Sequence, residues 1–326
     1  MLHILVFFLH VLPIYAISSI PSFYHSSEAI LEELNNLSTN CPGATLILTT
    51  TTKETSTIPL TIATFTSKQT PDKTPHNRAM IIFGEHAREL ISPETALRMA
   101  QDLCGMNEKT KELALKVLES TSIAMVPIAN PLGRKAVEDS WENMCQRVNE
   151  NGVDLNRNWD AHWEAPLDKS DYNYNADTNS GPKPFSEPET QALKKILDDT
   201  QPTIFITVHS GTLGMYTPYA YSRDLPTNDP SDLGRMKNIL DALDPEYCKC
   251  PSGAAGLDVG KYSKRRRSNV AVIIVRVIFI SVFLFYYLFS NHSFPTNPNS
   301  VTNCFKLILS IYNFTTTLLL RRYFDF

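Results

Sequence analysis

Residues 79–94 read Ala79-Met80-Ile81-Ile82-Phe83-Gly84-Glu85-His86-Ala87-Arg88-Glu89-Leu90-Ile91-Ser92-Pro93-Glu94. Five apolar residues in succession, with no polar alternation, are what a strand buried on both faces requires. Gly84 ends that strand. Ser92-Pro93-Glu94 then reads as a helix start, with Ser92 as cap and Pro93 at the first helical position, and the helix runs to about Leu103. The same alternation continues outward. Ser122–Val126 and Thr203–Val208 are short apolar strands, and a helix opening at Ser186-Glu187-Pro188-Glu189 runs through Leu197. Upstream, Tyr24–Leu37 carries Ile30, Leu31, Leu34 and Leu37 at helical spacing, while Ala44–Thr52 and Ile58–Phe65 are β-branched strands. Strands alternating with helices predict an α/β fold with a largely parallel sheet, its functional loops at the strands' C-terminal ends. The stretch 130–185 has no regular patterning and is read as a long functional loop region.

The bulk properties suit one large domain. The chain has 326 residues, 43% hydrophobic and 20% charged, so it can bury a sizeable core and is neither disordered nor fibrous. Its formal charge of -4, from 30 basic and 34 acidic residues, gives no reason to expect nucleic acid as a partner.

The two ends depart from this average. Residues 1–16, MLHILVFFLHVLPIYA, read as a secretory signal peptide cleaved near Ala16. Six cysteines (Cys41, Cys104, Cys145, Cys248, Cys250, Cys304) suit an oxidising compartment, but their pairing cannot be deduced. Asn36-Leu37-Ser38 and Asn313-Phe314-Thr315 fit the glycosylation acceptor pattern. The expected localisation is therefore secreted, or the lumen of the secretory pathway. From about residue 261 the chain changes character: Lys261, Lys264, Arg265, Arg266 and Arg267 lead into the apolar run Val270–Phe289. As a helix, residues 270–289 would be long enough to span a membrane, which makes a single-pass membrane protein the alternative, with Arg276 a cost inside the span. The same run, rich in Val, Ile, Phe and Tyr, also reads as one or two buried strands. The basic cluster would lie on the wrong side of the membrane for a lumenal domain.

His86 and Glu89 lie three apart on one turn, so both side chains can reach one cation. His209 stands at the end of the Thr203–Val208 strand, where a parallel sheet brings it beside them. Two imidazoles and one carboxylate with an open fourth position are the ligand set of a catalytic zinc. Between these elements, Asn156-Arg157-Asn158-Trp159 sets a planar guanidinium between two amides, suited to a forked grip on a carboxylate. Arg147 is a second cation, placed to stabilise an oxyanion near the metal.

Five segments occur in a fixed order: GEHARE, NPLGR (Asn130–Arg134), GVDLNRNWD (Gly152–Asp160), PFSEPET (Pro184–Thr190) and TVHSG (Thr207–Gly211). Together they closely resemble the zinc carboxypeptidases of the carboxypeptidase A type, over roughly Tyr24 to Gly260. The resemblance implies a three-layer α/β/α fold around a mostly parallel mixed sheet in a domain spanning 17–260. It implies one zinc ion per chain held by His86, Glu89 and His209. It also implies that Asn156 and Arg157 hold the terminal carboxylate of a peptide or protein, with Arg147 at the scissile carbonyl. Residues 251–258 resemble the specificity loop, with Leu257 at the pocket base, so the expected activity is release of apolar C-terminal residues. Ahead of Tyr24 there is no activation segment of the family's length, and control by one is not expected.

One part of that machinery is missing. The family's general base is a glutamate on a late strand, and here the only carboxylates after Glu246 are Asp258 and Asp325. The resemblance stops at Gly260, so the domain is expected to be C-terminally incomplete, with a sheet edge and a core face uncovered. Three readings of residues 261–326 stay open: a replaced 3′ end in the transcript, a membrane-tethered and catalytically inactive zinc- or peptide-binding homologue, or an active enzyme with an unusual base. A zinc amidase acting on a non-peptide acyl group would use the same ligands. A purely structural extracellular domain explains none of the motif order.

Overall fold

The computed structural model describes residues 20–51, 57–71, 74–165, 175–211, 214–217, 233–243, 252–254 and 275–278. The signal-like run 1–16 and the loop residue Leu257 lie outside these residues, as does most of 261–326. Helix α1 (Ser27–Thr39) starts where Ser26 Oγ accepts from the Ala29 N–H, and it buries Ile30, Leu34 and Leu37 as their spacing predicts. Strands β1 (Ala44–Thr50) and β2 (Thr61–Ser67) form an antiparallel pair. The run from residue 79 lies in β3 (Asn77–Phe83), followed by α2 (Ile91–Leu103). Then come α3 (Lys111–Leu118), β4 (Thr121–Val126), α4 (Pro131–Asp139), α5 (Pro188–Thr200) and β5 (Ile204–Ser210). Strand β6 (Gly214–Thr217), α6 (Leu233–Leu243), β7 (Ser252–Ala254) and β8 (Val275–Ile278) complete the described elements.

One sheet holds all eight strands in the order β1-β2-β4-β3-β5-β8-β6-β7. Four neighbouring pairs are parallel and three antiparallel, the mostly parallel mixed sheet expected from the motifs. Because alternate residues of a strand point to opposite faces, β3 divides its apolar run between two cores. Ala79, Ile81 and Phe83 pack with α1, α2 and α3, while Met80 and Ile82 pack with Ala192, Leu193, Ile196 and Leu197 of α5. That division makes the fold three layers, helices on both faces of the sheet.

Three expectations need correction. Ser92 does not cap α2: Leu90 holds the cap position, without a side-chain bond. Instead Ser92 Oγ donates to Val208 O at 2.6 Å and accepts from the Gly84 N–H at 2.9 Å. A fully buried hydroxyl must find partners, and here they are the ends of two parallel strands. The stretch 130–185 is not all loop, because α4 opens it, with Asn130 Oδ1 accepting from the Gly133 N–H and Pro131 in the first turn. Finally, the sheet edge beside His209 is not left uncovered. Val275–Ile278, inside the apolar run 270–289, lies between β5 and β6, antiparallel to the first and parallel to the second. β-Branched residues fit a pleated surface, and the outer backbone groups of β5 need a partner. The strand alternative therefore describes this piece of the tail. Among the described residues, no helix is long and apolar enough to cross a membrane.

Cys41, just past α1, is joined to Cys104, which ends α2, a separation of 63 residues. The two backbones run close, since the Gly43 N–H donates to Cys104 O at 2.9 Å and a Cβ at Gly43 would meet Cys104 at 3.0 Å. Cross-linking so long a loop restricts the unfolded chain. Replacing both cysteines by serine is expected to lower the unfolding free energy by about 2–4 kcal/mol in urea denaturation. An unchanged midpoint and slope would contradict this.

Candidate metal centre

The site forms where β3 and β5 end side by side. Their parallel register pairs Phe83 with Val208, so His209 stands next to the turn that follows β3. Gly84 makes that turn possible: its φ is +67°, and a Cβ there would lie 2.9 Å from Pro93 Cγ. The Glu89 N–H donates to His86 O at 3.1 Å, which closes the turn and brings the two side chains onto one side.

His86 and His209 are each 1% exposed and Glu89 6%. Their donor atoms converge. His86 Nδ1 lies 2.7 Å from Glu89 Oε1, His209 Nδ1 lies 3.1 Å from Glu89 Oε2, and the two Nδ1 atoms are 3.0 Å apart. Ligand atoms arranged tetrahedrally around zinc are about 3.3 Å apart. Two facing ring nitrogens share at most one proton, and the same approach suits a common cation. The donor set and its spacing fit zinc. Among the described residues this is the one cluster of three or more His, Cys, Asp or Glu side chains with ligand atoms within 4.8 Å of one another.

Each ring is also held from behind. Asp154 Oδ1 lies 3.2 Å from His86 Nε2, and Thr207 Oγ1 lies 2.9 Å from His209 Nε2. The fully buried Asp154 accepts further bonds from the Asn156 N–H and from Arg147 Nε and Nη2, at 3.0, 3.0 and 2.9 Å. Burial, the largest influence on Asp154, acts to raise its pKa, yet His86, Arg147 and Arg157 together hold it well below the carboxylate range. Glu89 is likewise held low against its burial, by the charge and hydrogen bonds of His86 and His209. His86 is held above the ordinary imidazole range: burial pushes it down, but Glu89 and Asp154 outweigh that.

Of the residues expected to act on substrate, three come to the site. Arg147 Nη1 lies 3.1 Å from His86 Nδ1. Asn156 Nδ2 lies 3.3 Å from His209 Nε2, and Arg157 Nη1 donates to Asn156 O at 2.9 Å. Leu257 lies outside the described residues. The second amide flanking Arg157 turns away: Asn158 Nδ2 donates to Ser180 O and Ser186 Oγ, and its Oδ1 accepts from Thr190 Oγ1 and the Glu187 N–H. PFSEPET thus braces the loop that carries Arg157. Trp159, set edge-on to Phe185 and Phe205, anchors the same loop in the core. In NPLGR, Asn130 Nδ2 donates to Glu85 O at 3.1 Å, and buried Arg134 pairs with Glu138 at 2.8 Å. Reading by residue type missed Asp154 and Thr207, although both lie inside quoted motifs.

The sequence profile of the zinc carboxypeptidases (peptidase M14) matches residues 30–260, and the chain belongs to that family. It is 28% identical to human (Homo sapiens) carboxypeptidase O over 172 residues, 50% of this chain and 45% of that one. It is 28% identical to rat (Rattus norvegicus) carboxypeptidase A2 over 238 residues, 66% of this chain and 50% of that one. The chain thus spans about half the length of these relatives. Its fold matches the crystal structure of thrombin activatable fibrinolysis inhibitor with a TM-score of 0.59 at 19% identity, covering 90% of this chain and 77% of the other.

Two outcomes follow for the metal. Glu89→Ala should abolish stoichiometric zinc in the purified chain by elemental analysis, and retained one-to-one zinc would refute the ligand set. Because the pKa of His86 is raised on folding, its protonated form stabilises the metal-free protein below about pH 6.5, and that stabilisation is lost as pH rises through the raised value. Zinc needs the deprotonated ring and acts in the opposite sense. The Tm gap between zinc-loaded and stripped protein should therefore widen from about pH 6 to about pH 8. A gap that narrows would contradict the assignment.

Proposed function

We propose that this chain is a secreted zinc-dependent exopeptidase that releases C-terminal, apolar residues from peptides. The observation that carries this is the buried convergence of His86, Glu89 and His209 with Arg147, Asn156 and Arg157 beside it. When bound, zinc supplies Lewis-acid polarisation of the scissile carbonyl and acidifies a water. The protein's own groups do the rest. Arg147, fixed by two bonds to Asp154, is a preorganised donor for charge that develops on the carbonyl oxygen. Arg157 and Asn156 take the terminal carboxylate. Asn156 Oδ1 is buried without a partner among the described residues, and a half-turn of its amide would set Oδ1 rather than Nδ2 against His209 Nε2, beside Thr207 Oγ1, and free Nδ2 for that carboxylate. Leu257 at the pocket base would favour apolar side chains. The signal-like residues 1–16 and the Cys41–Cys104 bridge support the secretory route.

A second reading rests on one observation. Residues 247–326 hold Asp258 and Asp325 as their carboxylates and no glutamate to serve as a late base. A site so built would hold zinc and peptide C-termini without turnover.

The test is hydrolysis of a peptide with a free apolar C-terminus, with and without a chelator, against the same peptide amidated. Chelator-sensitive release of the terminal residue, lost on amidation, supports the exopeptidase. Zinc-dependent binding without turnover supports the second reading, and neither binding nor turnover contradicts both. Under either reading, Arg157→Ala should weaken capture of the free-carboxylate peptide about 10–100-fold, as expected for a charge-assisted hydrogen bond. Unchanged capture would remove Arg157 from the site.

A further inference from the structure

Glu85 is the buried charged residue of the turn that neither the ligand set nor the substrate contacts use. It is 2% exposed, the first residue beyond Gly84, and its backbone is pinned by Asn130: the Nδ2 of Asn130 donates to Glu85 O, and the Asn130 N–H donates to Gly84 O. A carboxylate buried to this extent is costly unless it is paired and hydrogen-bonded. Among the described residues its side-chain hydrogen-bond and ion-pair partners lie on β5. Glu85 Oε2 accepts from Thr207 Oγ1 at 2.5 Å and lies 3.2 Å from His209 Nε2. Thr207 Oγ1 is itself 2.9 Å from that nitrogen. Thr207 and His209, two apart on one strand, present their side chains to the same face of the sheet.

We infer that Glu85 is a positioning residue for His209, the counterpart of Asp154 behind His86, so that both zinc-ligating rings are backed by buried carboxylates. The inference rests on the zinc site proposed above. With Nδ1 of His209 turned to the metal, its ring proton is at Nε2. That proton donates to Thr207 Oγ1, whose own hydrogen goes to Glu85 Oε2, and the carboxylate lies within direct reach as well. Such backing fixes the ring's tautomer and rotation and raises its basicity as a ligand. Asn156, the other side chain near His209 Nε2 among the described residues, is neutral and is no carboxylate counterpart of Asp154.

The experiment uses the full chain and metal alone. Zinc affinity is measured by competition with a chromophoric chelator, and the visible spectrum is recorded with Co2+ in place of zinc. Glu85→Gln keeps the size of the side chain and an acceptor for Thr207 but removes the charge. It should weaken zinc binding about 10–100-fold and shift the Co2+ bands, with circular dichroism unchanged. Glu85→Asp should recover part of the affinity. Wild-type affinity and an unshifted Co2+ spectrum in a folded Glu85→Gln protein would overturn the inference while leaving the zinc site standing. If Glu85→Gln does not fold, Thr207→Val carries the test: several-fold weaker zinc binding supports the relay, and wild-type affinity overturns it. An unaltered chain that binds no zinc removes the site itself and the inference with it.

Discussion

Two imidazole nitrogens and a carboxylate are buried within about 3 Å of one another, and most of what surrounds them makes that crowding tenable. Without a shared cation, two buried Nδ1 atoms 3.0 Å apart have at most one proton between them. With one, each distance becomes a ligand–ligand contact. The hydrogen bonds behind the rings point to the second state, since they sit on the Nε2 side and leave both Nδ1 atoms free to face inward.

The scaffold is fitted to this constraint. Parallel pairing of β3 with β5 sets His209 beside the Gly84 turn, and Ser92 ties the two strand ends together through Gly84 N and Val208 O. The loop carrying Asp154, Asn156 and Arg157 is held by Asn158 and Trp159, which spend their hydrogen bonds and apolar surface on the frame rather than on the site. Buried polar groups of this kind specify one geometry because each has few alternative partners. The site's rigidity therefore comes from side chains that do no chemistry.

Much of this was legible in the sequence because it depends on periodicity and local chemistry. The unbroken apolar run Ala79–Phe83 reads as a doubly covered strand, and its odd and even residues do enter different cores. His86 and Glu89 were legible from their spacing, and His209 from its place at a strand end. What escaped depends on contacts distant in sequence. Ser92 had the local signature of a cap, but a tertiary bond to Val208 outweighed it. Glu85 carries no local sign of burial, since the partners that make burial tolerable lie 122 residues away. Val275–Ile278 fitted a membrane span and a strand equally well by composition, and the open side of β5 decides for the strand.

A single zinc held by two ring nitrogens and a carboxylate has a rival ligand chemistry in the four cysteines outside the Cys41–Cys104 bridge. X-ray absorption at the zinc edge, on the full chain loaded with one equivalent, separates the two most directly. A first shell of nitrogen and oxygen at about 2.0–2.1 Å with no sulfur is the expected result. A sulfur shell near about 2.3 Å, or no bound zinc at all, would contradict it.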